Sequence, residues 1–124
     1  MAAIDLVFNL LHADDLIIAP HDCYGGTHRL LTHRALQGRM RVEFVDQGDD
    51  SALDAAMAKG PKLVLIETPS NPLMRVVDIE MIAGKARKAG ALSACDNTFL
   101  TPSRQKPLAL GCDIVIHSTT KYLN

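Results

Sequence analysis

The string His117-Ser118-Thr119-Thr120-Lys121 sets an amine behind two hydroxyls. A lysine held and desolvated at a pocket mouth attacks carbonyls to form a Schiff base. The same lysine in open water is an ordinary surface cation. Ser118 and Thr120 alternate along an extended backbone, which turns both hydroxyls to one side. Beside an amine they suit a phosphate group; taken alone they are turn formers. Asp96 directly follows an apolar run. A carboxylate there either pairs with a ring N–H⁺ and keeps it protonated, or simply closes a turn. Tyr24, followed by Gly25-Gly26, suits a stacking partner for a flat ligand, or is a half-buried loop tyrosine. Asn71 lies between Pro69 and Pro72, and is either a donor to a ligand oxygen or a turn residue.

These residues are spread along the chain, so regular elements must bring them together. Ile4, Val7, Phe8 and Leu11 recur at helical spacing. A short apolar strand follows over Leu16–Ala19, then a loop from Pro20 to Thr27. A second helix carries Leu30, Leu31 and Ala35 inward and Arg29 and Arg34 outward, ending near Gly38. Val42–Val45 reads as a strand. Ser51 to Asp54 fits the S-x-x-[DE] helix start, with Leu53, Ala56 and Met57 as the apolar face. Strands over 62–66, 91–95 and 114–116 complete the series. A helix opened by Asp78, with Ile79, Ile82, Ala83 and Ala86 inward, lies between the first two, and a loop from Asp96 to Pro107 precedes the last. Each strand is a continuous apolar run rather than an apolar/polar alternation. Strands alternating with helices then predict an α/β fold: a mostly parallel sheet covered on both faces. Ligands of such sheets bind beyond the C-terminal ends of the strands, where the polar residues above gather.

Composition narrows the partners. The 124 residues are 48% hydrophobic, with 13 Lys+Arg against 14 Asp+Glu. That near-neutral balance, without a basic cluster, argues against nucleic acid and anionic membranes. No apolar run reaches the ~18–20 residues that span a bilayer, so a soluble, cytoplasmic protein is expected. Cys23, Cys95 and Cys112 are odd in number and lack C-x-x-C spacing, which predicts reduced, buried thiols. His28 and His33 do not share a helix face, and no metal site is expected. A nucleotide-binding module is the non-enzymatic alternative, but no strand is followed by G-x-G-x-x-G or G-x-x-x-x-G-K-[ST].

The strings APHDCYGGTHRL, FVDQGD, PKLVLIETPSNPLMRVVDI, DNTF and HSTTKYLN resemble the Cys/Met-metabolism family of pyridoxal-phosphate enzymes over the whole chain. The resemblance implies a three-layer sheet flanked by helices, as in the large domain of fold-type I (aspartate aminotransferase-like) enzymes. It implies that residues 1–124 are an incomplete part of that domain. An N-terminal segment and a small C-terminal domain would be lacking, and the chain would be inactive alone. By resemblance, Lys121 holds pyridoxal 5′-phosphate covalently and moves protons. Asp96 pairs with the ring nitrogen, and Tyr24 stacks on the ring and assists proton transfer. Ser118 and Thr120 bind the phosphate, Asn71 sits beside the ring oxygen, and Thr98 lies near the ring. Met1 matches the methionine of a phosphate-binding turn. The implied reaction is a γ-replacement joining O-succinylhomoserine and cysteine with loss of succinate, carried out by a homotetramer. γ-Lyases and O-acylhomoserine sulfhydrylases share the same residues and are the alternative.

Overall fold

The computed structural model describes residues 1–123; Asn124, the last residue of the H-S-T-T-K-Y-L-N string, lies outside the described residues. Five parallel strands form one sheet: β1 (Leu16–Pro20), β2 (Arg41–Val45), β3 (Leu63–Glu67), β4 (Leu92–Asp96) and β5 (Ile114–Ile116). Their order is β2-β1-β3-β4-β5. Helices α1 (Ala2–Phe8) and α2 (Gly25–Leu36) lie on one face. Helices α3 (Asp50–Met57) and α4 (Ile79–Lys88) lie on the other. The side of each crossover follows from handedness. The step from β1 to β2 runs one way along the sheet, and the steps to β3 and β4 run the other way. Right-handed connections must therefore switch faces between them.

Two cores result. Ile4, Val7 and Phe8 of α1 and Leu31 of α2 pack on Ile17, Leu65 and Ala94. Leu53, Ala56 and Met57 of α3 and Ile82, Ala83 and Ala86 of α4 pack on Ile18, Val64 and Ile66. Central strands β1 and β3 are buried at every residue. The outer strands are not: only Val45 of β2 and Ile116 of β5 are fully buried. Continuous apolar runs thus mean two-sided burial only at the sheet centre.

Two local expectations change. The cap of α3 is Asp49, not Ser51: its carboxylate accepts from the Ser51 and Ala52 amides. An anion one residue before the first turn satisfies two free donors and suits the positive helix end. Arg34 does not point free into solvent but pairs with Asp5, tying α2 to α1. The loop after Asp96 also contains a short helix, α5 (Thr101–Arg104). As the sequence predicts, Asp78 caps α4 through the Met81 amide.

The sheet opens at one place. β1 pairs with β3 only at Ile17↔Leu63 and Ile18↔Val64, whereas β3 pairs with β4 along five residues. Pro20 accounts for the gap. The His21 amide bonds Val45 on β2, so the Pro20 nitrogen, one residue earlier, faces β3 and has no proton to donate. Gln47 enters the gap and donates to the Leu65 carbonyl. This is also where strand order reverses, the usual place for a ligand crevice.

Candidate active site

A cavity of about 210 Å³ sits beyond the C-terminal ends of β1, β3, β4 and β5. Lys121, Asp96, Tyr24, Ser118 and Thr120 all line it. So do Asn71, Thr98 and Met1, which brings every residue singled out in the sequence to one place.

Each wall has a local cause. Tyr24 is the N-cap of α2 and leaves 44% of its surface exposed. A Cβ on Gly26 would lie 2.5 Å from Tyr24 Cε1 and 3.1 Å from Met1 Sδ. Gly26 therefore lets the ring lie against the start of α2, beside Met1. Gly25 has no such constraint, since a Cβ there meets only an Arg29 nitrogen at 3.4 Å.

Asp96 both closes a turn and faces the cavity. Its Oδ1 accepts from the Thr98 amide at 3.1 Å and from the Thr98 hydroxyl. Thr98 Oγ1 in turn accepts from the Ser118 amide at 2.9 Å. Among the described residues Oδ2 takes no hydrogen bond, which leaves one carboxylate oxygen for a ligand donor.

Ser118, Thr120 and Lys121 lie in a turn, not along an extended backbone: the Lys121 amide reaches the Ser118 carbonyl at 3.3 Å. The turn still brings the two hydroxyls together, 2.9 Å apart. Lys121 lines the cavity and is exposed, the second of the two settings that the sequence leaves open for it.

Glu67 and Asn97 belong to the site's framework and were not singled out in the sequence. Glu67 ends β3, is 7% exposed, and accepts from the Tyr24 amide (Oε2, 2.8 Å) and the Asn71 amide (Oε1, 2.9 Å). Burial, with Asp96 and Asp22 nearby, outweighs those two bonds and pushes its carboxyl up to about 7. A sequence signal existed: a carboxylate closing a fully apolar strand must find donors. Asn97 is wholly buried. It donates to the Gln105 carbonyl, accepts from the Gln105 side chain and meets His117 Nε2, fixing the wall between β4 and β5. Cys23, beside the site, is an unreactive thiol: burial and the charges of Glu67 and Asp22 push it up to about 12. All three cysteines are free and buried.

The donor set suits a flat, phosphorylated aldehyde with a ring nitrogen. An amine, an available carboxylate oxygen, an aromatic face and a hydroxyl pair share one cavity, and these are the partners that pyridoxal phosphate requires.

Residues 1–124 match the family model described as Cys/Met metabolism PLP-dependent enzyme. The chain is 61% identical to cystathionine gamma-synthase of Escherichia coli (strain K12), with 100% of this chain and 32% of that protein covered. It is 44% identical to cystathionine gamma-lyase of Bacillus subtilis (strain 168), covering 99% and 32%. A crystal structure of cystathionine gamma synthase from Xanthomonas oryzae pv. oryzae, in complex with aminoacrylate and cysteine, superposes with a TM-score of 0.96. The two are 49% identical over 98% of this chain and 32% of that one. The chain thus spans about a third of the length of these relatives.

Proposed function

The chain belongs to the Cys/Met metabolism family of PLP-dependent enzymes, and from that membership we propose that it supplies the cofactor-holding part of a γ-replacement enzyme. In this reading the γ-substituent of O-succinylhomoserine is replaced by the thiol of cysteine, giving cystathionine and succinate. The same reading makes residues 1–124 part of a large cofactor-binding domain in a cytoplasmic homotetramer. The observation that carries it is the meeting of Lys121, Asp96, Tyr24 and the Ser118–Thr120 hydroxyls in one cavity, in a chain so close to a γ-synthase.

When bound, pyridoxal phosphate supplies the electron sink for a carbanion at the substrate Cα. The chain's residues do the rest. Lys121 Nζ would hold the cofactor covalently and, when free, would take and return a proton at the substrate Cα and Cβ. Asp96 Oδ2 would pair with the ring nitrogen and keep its proton in place, because a nearby anion favours the charged form. Tyr24 would fix the ring plane by stacking and assist the first proton transfer. Ser118 and Thr120 would bind the phosphate oxygens. Asn71 would donate to the ring oxygen, while Thr98 steadies Asp96 and Met1 closes the wall beside Tyr24.

Borohydride reduction in the presence of pyridoxal phosphate, followed by peptide mapping, tests the site. The expected label is on Lys121; a label elsewhere, or none on the folded protein, overturns it. Product analysis tests the reaction. With the full-length enzyme, cystathionine is expected from O-succinylhomoserine and cysteine. A preference for sulfide points to a sulfhydrylase, and cleavage of cystathionine points to a lyase, the reading favoured by the 44%-identical γ-lyase relative.

A further inference from the structure

Tyr24 and Asn71 sit on opposite sides of the gap between β1 and β3, where the backbone ladder has ended. A single side chain spans them. Glu67 accepts from the Tyr24 amide with one oxygen and from the Asn71 amide with the other. A second tie runs alongside, from the Ser70 hydroxyl to Asp22 Oδ2 at 2.6 Å.

We propose that Glu67 is a positioning residue whose two carboxylate oxygens fasten Tyr24 and Asn71 in one fixed relation across this gap, presetting the two groups that grip the cofactor. The grip rests on the cofactor reading above; the fastening does not.

Residue type supports this role. An ionised carboxylate accepts at both oxygens and presents no donor to either amide. Glutamine in the same place would turn an NH₂ group against one of the two amides. Protonation would weaken one oxygen as an acceptor and remove the charge that strengthens both bonds, so the fastening is strongest in the ionised form. The groups around Glu67 come from every neighbouring element. Asp22, Cys23 and Tyr24 follow β1, and Asp96 ends β4. Lys121 lies across the cavity, and Asp46 and Arg75 lie across a small adjoining hollow. Arg75 is already paired with Asp46 at 2.8 Å. The carboxyl, pushed up to about 7, titrates where it can be followed.

The test is an amide ¹⁵N–¹H spectrum of the protein without cofactor, recorded through neutrality, together with cofactor affinity. The Tyr24 and Asn71 signals are expected to move together with one midpoint near 7. In Glu67→Gln neither signal should move with pH. Pyridoxal phosphate should bind that variant about tenfold more weakly, the effect of losing one charge-assisted hydrogen bond. Lys121 should remain the labelled residue. Tyr24 and Asn71 signals that do not titrate in the unmodified protein overturn the proposal, whether or not the variant folds. An unchanged affinity in Glu67→Gln overturns the grip. A missing Lys121 label in the unmodified protein overturns the cofactor reading and the grip with it. The fastening is then still decided by the titration, which needs no cofactor.

Discussion

At the scale of single residues, the site depends on groups whose surroundings restrict them. Gly26 is the plainest case. An alanine Cβ would stand 2.5 Å from the Tyr24 ring, and the ring, a side chain, would swing aside before the backbone moved. Gly26→Ala should therefore fold normally yet bind pyridoxal phosphate about tenfold more weakly, roughly the worth of one aromatic stacking contact. Absorbance titration with the cofactor checks this. Glu67 leaves a signature in stability. Its carboxyl is raised from 4.5 to about 7 in the folded chain. Between those values the folded state keeps a proton that the unfolded chain has lost. Stability should fall as pH rises from about 4.5 to about 7 and level off above. The drop is on the order of 3 kcal/mol for a shift of this size. Denaturant melts over that range should show the slope, and Glu67→Gln should abolish it. Thr98 illustrates what side-chain type alone leaves open. Its hydroxyl proton goes to Asp96 and its oxygen accepts from Ser118. It therefore links two strand ends and has no proton left for a ligand.

At the scale of elements, the periodicity of apolar residues made the helices and central strands legible. The inward faces of α3 and α4 are those the spacing gives: Leu53, Ala56 and Met57, then Ile79, Ile82, Ala83 and Ala86. Helix starts were less legible, because several polar residues near Asp49 compete for the same free amides and only geometry chooses among them. Arg34 was misread for a related reason: a sequence does not reveal that α1 brings Asp5 within reach. The segment after β4 was also hidden. Its order comes from long-range bonds between Asn97, Gln105, Thr68 and His117, not from local propensity. Asn97→Ala removes three of those side-chain contacts from a wholly buried position. It should cost about 2–4 kcal/mol, measured as a lower denaturant midpoint.

At the scale of the whole molecule, the fold class and the place of the site were legible because parallel strands collect their following loops at one end. Strand order was not, because crossover lengths do not determine which neighbour a strand joins. Once β1 is seen between β2 and β3, Pro20 acquires a meaning that its position in the sequence conceals. Its missing proton divides the sheet into two leaves, β2–β1 and β3–β4–β5, joined by a short ladder at one end. At the other end side-chain ties cross between them: Gln47 to Leu65, Glu67 to Tyr24, Ser70 to Asp22, and Arg75 to Asp46 and His21. Tyr24 stands on one leaf, and Asp96 and Lys121 on the other. A molecule that touches all three therefore acts as a cross-brace. It supplies the rungs that a proline withheld and turns a sheet sprung open at its mouth into one closed frame.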